Sequence, residues 1–368
     1  MKSPSSKKLF SQIKTVFWIT VVWTIFSLYK YSIGYSTIVG IGSLPEIAFD
    51  INSLDTSIYL RASLFTGLIA GIIGGGGIVF LWEKWLRSKP YGQAIGSIFL
   101  SFLAVYLVVS MLTGLFFQID SLDSTILHAD VWKAAVLDIF ADLSIVDIIS
   151  WLVLVVFTMI VLLVNDKYGP GGFRKFLMGR YFTAQREERV FMFLDLRSST
   201  TIAEKIGEEK YFNFLKDVFE TATPGILRYK GEIYQYVGDE IVISWELNSG
   251  IRSANCIKCY FEVQALLNRK KDFFLDKYGE EPVFKAGLHY GHVMAGEIGV
   301  VKREIAFSGD VLNTTARIQS KCNELGVDIL ASKFLIDKLN LQPDTFHPRE
   351  IGEMELRGKK ELVTLFTL

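Results

Sequence analysis

Two carboxylates in this chain occupy settings suited to phosphate chemistry. Asp195 closes the apolar run Val190-Phe191-Met192-Phe193-Leu194, which predicts a buried strand. Leu196-Arg197-Ser198-Ser199-Thr200 then leads into a hydroxyl-capped helix starting near Thr201. A carboxylate at a strand end can hold a divalent cation, and the free amides of a helix start can hold phosphate. Asp239 lies in Tyr236-Val237-Gly238-Asp239-Glu240, between alternating segments that predict a hairpin turning at Gly238-Asp239. An Asp in a tight turn is ordinarily turn chemistry alone. Paired with Asp195, it can hold two metal ions that activate a hydroxyl and neutralise a polyphosphate. A third segment, Gly309 to Ser320, predicts a turn into a helix on which Asn313 and Arg317 share a face. Arg suits charge building on a phosphoryl group, and Asn can hold a ribose oxygen. By itself this segment reads better as a solvated face with a polar i,i+4 pair.

The three segments in this order resemble the catalytic domain of class III adenylate and guanylate cyclases, from about residue 188 to 368. Phe193-Leu194-Asp195-Leu196-Arg197-Ser198-Ser199-Thr200 is similar to that family's first metal motif, and Tyr236 to Glu240 to its second. Gly309 to Arg317 fits its G-x-x-V-N-x-x-x-R pattern, with Leu312 where Val is usual. Phe284 to Val293 fits a central G-[IL]-H-x-G hairpin, and Met354-Glu355-Leu356-Arg357-Gly358-Lys359 the closing strand. The resemblance implies a ferredoxin-like α+β domain working as a head-to-tail homodimer with its sites at the interface. One protomer would supply Asp195, Leu196 and Asp239 to two Mg²⁺ or Mn²⁺ ions; the other would supply Asn313 to the ribose and Arg317 to the transition state. Arg197, Ser198, Ser199, Thr200, Lys285, Arg357 and Lys359 would contact the nucleotide. The ribose 3′-oxygen would attack the α-phosphorus and pyrophosphate would leave.

Two positions that read the purine in this family depart from its pattern. Gln235 stands where adenylate cyclases usually have Lys and guanylate cyclases Glu. Ala306 stands where Asp or Thr meets adenine, or Cys or another small residue accompanies guanine. A Gln amide can meet the adenine N1/N6 edge or rotate to meet guanine. Ala makes no side-chain hydrogen bond, so discrimination should be less sharp. ATP is favoured because Gln lacks the carboxylate that guanine's N1 and N2 donors would seek. The alternatives are GTP, or a non-catalytic nucleotide-sensing domain, against which the intact set of Asp195, Asp239, Asn313 and Arg317 argues.

These residues must be positioned by a chain of two characters. The 368 residues carry 39 basic and 39 acidic side chains, a balance that gives no reason to expect nucleic-acid binding. Up to about residue 165 the chain runs in long apolar stretches; beyond it the composition is mixed and charged. Stretches 15–34, 58–82, 92–117 and 145–164 each reach the roughly 20 residues a membrane helix needs. The first could instead be a signal peptide, but no small-residue cleavage site follows it. Lys2, Lys7, Lys8 and Lys14, then Lys84, Arg87 and Lys89, then Lys167, Arg174, Lys175 and Arg180 fall on one side. The other two connections carry Glu46, Asp50 and Asp55, and Asp120, Asp123, Asp130, Asp138 and Asp142 against Lys133 alone. This asymmetry predicts a multi-pass protein of the inner (plasma) membrane with both termini cytoplasmic.

The expected organisation is therefore a four-helix transmembrane domain at 1–165, a juxtamembrane linker at 166–187 and a catalytic domain at 188–368. The linker combines the helix-breaking Gly169-Pro170-Gly171-Gly172 with a basic, aromatic segment suited to a lipid surface. Gly74 to Gly77 predicts either a close helix contact or a kink, and Arg61 should snorkel to the interface. With no charged residue placed for an ion relay, an anchoring and dimerising bundle is favoured over a ligand sensor. Cys256 and Cys259 form a CxxC without further ligands, so they read, with Cys322, as buried thiols in a reducing compartment. His128, His289, His292 and His347 receive no catalytic role.

Overall fold

Long apolar runs in a bilayer must satisfy their backbone internally, which a helix does. The computed structural model contains four helices long and apolar enough to span: Leu9–Gly40, Thr56–Phe80, Phe99–Ile119 and Ile145–Val164. It describes residues 4–42, 56–82, 91–121, 125–142, 145–168, 178–301, 303–339, 341, 346–355 and 362–368. The chain divides into two units, Met1–Asp166 and Lys167–Leu368.

In the first unit, helix α1 (Pro4–Gly42) packs against α2 (Thr56–Ala70), which continues through widened turns at Gly71–Gly75 and Ile78–Trp82. Helices α3 (Tyr91–Ser121), α4 (Ala129–Asp142) and α5 (Ile145–Tyr168) follow. The α1–α2 contact depends on small residues: a Cβ at Gly71 would lie 2.4 Å from the Thr20 Cα, and one at Gly67 2.5 Å from the Thr24 Cα. Within the predicted glycine run, Gly74 and Gly75 abut Trp23 and Ile19, while Gly76 and Gly77 face open space. The close-contact reading of the run therefore holds, and the helix widens at the same place. Helix α4 lies in a stretch the sequence reading treated only as an acidic connection. Its Val131 and Ala135 pack on Leu115 of α3, and at 14 residues it is too short to span.

The second unit is an α+β layer structure. Its strands are β1 (Gln185–Leu196), β2 (Glu232–Val237), β3 (Glu240–Glu246), β4 (Phe284–Ile298), β5 (Glu304–Ser308), β6 (Ile329–Ser332), β7 (Arg349–Glu355) and β8 (Leu362–Thr367). They form one sheet in the order β2-β3-β1-β4-β6-β8-β7, with β5 paired to β4. Only the β4–β6 pairing is parallel. Helices α6 (Ser199–Ile206), α7 (Glu208–Arg228), α8 (Leu247–Ile251), α9 (Asn255–Arg269) and α10 (Lys271–Tyr278) precede β4. The apolar faces of α7, α9 and α10 meet one side of the sheet around Phe214, Trp245, Val263 and Phe274, all fully buried. Helix α11 (Asp310–Leu325) covers the other side over Phe191, Phe193, Val242 and Val293, and the short α12 (Lys333–Ile336) follows β6.

One expectation is corrected here. Phe284 to Val293 is not a hairpin: β4 runs without a turn for 15 residues and pairs with β1 from Leu196↔Phe284 to Gln185↔Ala295. Its glycines serve packing instead of turning. A Cβ at Gly287 would lie 2.4 Å from the Gln319 nitrogen, so the missing side chain is what seats α11 on the strand. The turn comes later, between β4 and β5. The cysteines match their reading. Cys256 and Cys259 on α9 and Cys322 on α11 are free and buried. Burial pushes the Cys256 and Cys322 thiols up to about 12 and that of Cys259 well above its ordinary value, far from reactive thiolates.

Candidate active site

Asp195 is the penultimate residue of β1, and Asp239 sits in the two-residue turn between β2 and β3, where Gly238 takes the positive φ of 60° the turn requires. Because β3 lies directly beside β1, the turn delivers Asp239 to the end of β1. The two carboxylates interact. Burial, then the charge of Asp239, hold the Asp195 carboxyl above its ordinary range, against the pull of Gln319 and Lys285. Glu240 is pushed up to about 7 by burial and by the charges of Asp195 and Asp239. Burial and Asp239 also raise Tyr211. Excess negative charge concentrated in a half-buried site is what a divalent cation neutralises. Among the described residues no group of three or more His, Cys, Asp and Glu makes a preformed cage. A carboxylate pair suits ions that take their remaining ligands from phosphate oxygens and water.

The loop after Asp195 differs in detail from its prediction. Helix α6 starts at Ser199, and its N-cap, Ser198, makes no side-chain capping bond. Ser198 instead adopts a left-handed φ of 56°, a strain of the kind found at ligand-binding turns. The Arg197 backbone amide donates to the Val283 carbonyl at 2.8 Å, and its guanidinium donates to Asp328 at 2.7 Å. Lys285 is buried and stands opposite Asp195 in the β1–β4 register.

Helix α11 starts after Gly309, and its Gln319 amide donates to Asp195 at 3.1 Å. Residues two apart on a helix are separated by about 200°. With Gln319 turned to Asp195, Arg317 therefore points to nearly the opposite side, and Asn313, six residues from Gln319, lies about 120° around the helix from it. Asn313 is exposed and Arg317 half-buried. Among the described residues no ion pair joins Arg317 to Asp195 or Asp239.

Gln235 and Ala306, the positions expected to read the purine, lie on β2 and β5. Tyr234, at a bulge in β2, packs against Phe307 of β5 with ring centres 4.9 Å apart and the rings tilted by 57°, and the Phe307 amide donates to the Tyr234 hydroxyl at 3.3 Å. Gln235 and Ala306 are each next in sequence to a member of that contact. Arg357 and Lys359 lie outside the described residues.

Sequence reasoning gave no part to Glu240, Tyr211, Gln319 or Asp328. Glu240 was within reach, since its neighbour Asp239 was assigned to metal. The others reach the site through packing that joins distant segments, such as the 124 residues between Asp195 and Gln319.

Residues 182–368 match the family model for the adenylate and guanylate cyclase catalytic domain. Adenylate cyclase 2 of Rhizobium meliloti (strain 1021) is 36% identical over 209 residues, covering 56% of this chain and 57% of that protein. An adenylate cyclase of Anabaena cylindrica is 23% identical over 197 residues, covering 50% of this chain and 37% of that one. The chain thus spans about half or less of the length of these relatives. In fold it is similar to a bacterial light-regulated adenylyl cyclase, with a TM-score of 0.51 at 20% identity over 60% of this chain and 64% of the other.

Proposed function

Because the chain belongs to the adenylate and guanylate cyclase catalytic-domain family, we propose that it converts ATP to 3′,5′-cyclic AMP and pyrophosphate, at sites shared by two copies anchored in a membrane. The observation that carries this reading is the delivery of Asp239 to the end of β1, beside Asp195 and before the strained start of α6. Asp195 and Asp239, with the Leu196 backbone carbonyl, would hold two Mg²⁺ or Mn²⁺ ions, which when bound make the ribose 3′-hydroxyl acidic and offset triphosphate charge. The backbone at Ser198, Ser199 and Thr200 offers its amides to phosphate, and Lys285 balances the carboxylates from the facing strand. Asn313 would orient the ribose, and Arg317 would meet the charge that builds on the α-phosphoryl group. The side of α11 that carries both turns away from the chain's own Asp195, which favours their service to a second protomer's carboxylates.

ATP is supported by the identity with the Rhizobium adenylate cyclase and by an uncharged amide at Gln235. One observation favours GTP as the second reading: Ala306 is small, as at guanine-reading sites. Membrane anchoring is supported by the four spanning-length helices. The lysine and arginine asymmetry of the connections supports an orientation with both termini in the cytoplasm at the inner membrane. The test is pyrophosphate release by the full chain in detergent, with ATP or GTP and with Mg²⁺ or Mn²⁺. A higher kcat/KM for ATP is expected. Preference for GTP would replace the adenylate reading, and nucleotide binding with no turnover under Mn²⁺ would replace the enzyme with a nucleotide sensor.

A further inference from the structure

The helical unit holds a partly open cavity of about 760 Å³ between α1, α2, α3 and α5. That volume is within the range of small-molecule sites, roughly 300–1,000 Å³. A bundle serving only to anchor or dimerise would be expected to close such a space, because helix interiors pack to crystal-like density. Its walls are of two kinds. Trp23, Phe102 and Trp151 supply aromatic surface, with Trp23 and Trp151 edge to face at 6.1 Å. Lys30 of α1 and Asp147 of α5 also line it and are ion-paired with each other. The cavity is therefore electrically neutral by internal compensation. A charged guest would have to break or outweigh that pair where the dielectric is low, which is costly.

The hydroxyls in the wall are oriented. Ser27 donates its proton to the Ser63 carbonyl at 2.8 Å, and Thr66 donates to the Ala62 carbonyl at 2.8 Å. The Thr66 and Thr113 hydroxyl oxygens are 3.0 Å apart. With the Thr66 proton committed, Thr113 is the donor of that pair. Each of these hydroxyls spends its one proton inside the wall and keeps lone pairs to offer. Ser27, Thr66 and Thr113 together thus present acceptors at one part of the wall, and the complement of that group is a donor.

We propose that this cavity binds a small uncharged amphiphile, with an aromatic or aliphatic body and a head that donates a hydrogen bond, such as an alcohol or a phenol. The site would make the bundle a receptor as well as an anchor. The proposal rests on the geometry of the helical unit and holds whichever nucleotide the catalytic unit uses.

The test uses the full chain in lipid nanodiscs and three probes of one shape: 9-anthracenemethanol, its methyl ether and 9-anthracenecarboxylate. Energy transfer from tryptophan to anthracene reports occupancy. The alcohol should give saturable transfer, and the ether and carboxylate should bind about tenfold or more weakly, as loss of one well-made hydrogen bond or a charge mismatch implies. Thr113→Val, which keeps the shape and removes the hydroxyl, should bring the alcohol towards the level of the ether. Asp147→Asn, which leaves the Lys30 charge uncompensated, should raise affinity for the carboxylate. Transfer that climbs linearly for all three probes would mean partition into lipid only and overturn the proposal. So would equal affinities that neither variant changes.

Discussion

Arg189 gathers several charged and polar partners, although it touches no predicted catalytic group. It is fully buried, its Nε donates to Glu187 at 2.8 Å, and its Nη1 donates to Glu232 and to Ser244 at 2.9 Å. Its guanidinium also lies 4.4 Å from the centre of the Phe307 ring. Burial disfavours its charge, but Glu232 and Glu187 more than offset this and its pKa is raised. Arg189→Met would leave Glu232 without its cation and Glu187 with Arg180 alone, a loss smaller than the about 3–5 kcal/mol of a fully buried pair because Glu232 is partly exposed, measurable by denaturation followed through the buried Trp245. Arg189→Lys keeps the charge but loses the planar fork. It should be milder in stability while disturbing Phe307, and with it the neighbourhood of Ala306 and Gln235. A second expectation belongs to Gln235 itself. Gln235→Glu should move the ratio of kcat/KM for ATP over GTP towards GTP by about tenfold or more, because a carboxylate accepts from both guanine donors. An unchanged ratio would mean that Gln235 does not face the base. At this scale the sequence showed Asp195 and Asp239, because a strand end and a glycine turn mark their positions locally. Arg189 carries no such local mark, since its partners Glu232 and Ser244 stand 43 and 55 residues away.

At the scale of elements, the seating of α11 on β4 sets the distance between the Asp195 and Asp239 carboxylates, proposed to hold metal, and the helix that carries Asn313 and Arg317. Gly287→Ala places a carbon 2.4 Å from the Gln319 nitrogen, so α11 must shift and the Gln319–Asp195 bond must stretch. Gly291→Ala meets only the Val311 side chain, at 3.3 Å. The first substitution should cut kcat at least about a hundredfold, the scale of loss for misplacement near 1 Å, and the second should cost little; steady-state kinetics on both separates them. The α7–α10 contact responds to pH instead. Burial raises the Asp217 pKa, but hydrogen bonds from Lys277 at 2.8 Å and Tyr278 at 2.7 Å outweigh this, and the net shift is down. A depressed carboxyl stabilises the fold above its unfolded pKa, near 4, and that contribution is lost as pH falls through the folded value. Asp217→Asn should therefore expose α7 and α10 to hydrogen exchange at neutral pH, with the difference from the parent protein fading as both are taken below about pH 4. These elements were legible to different degrees. The β2–β3 hairpin was plain from alternation about Gly-Asp. The glycines of β4 read as turn signals because a sequence shows that Cβ atoms are missing, not which helix fills the space.

For the whole molecule, four long apolar runs exceed what a soluble core uses, so the spanning helices were legible from composition alone. The interior of the bundle was not, because apolar content says nothing of where helices leave a cavity or which hydroxyls turn into it. The remaining prediction concerns how many chains make one site. If Asp195 and Asp239 of one protomer work with Asn313 and Arg317 of another, an Asp195→Ala chain and an Arg317→Ala chain are each inactive but complementary. In a head-to-tail pair of the two, one site joins intact carboxylates to an intact Arg317, and the other site loses both. Random pairing of equal amounts makes half the dimers mixed, each with one working site of two, so about a quarter of the parent rate should return. The mixing must be done by co-expression into one membrane, where confinement to the bilayer raises the effective concentration of partners. Chains reconstituted separately and then combined supply the negative control. Recovery only after co-expression would establish shared sites, and a co-expressed pair as inactive as its parts would place Arg317 in the same chain as the carboxylates it serves, against the direction in which α11 presents it.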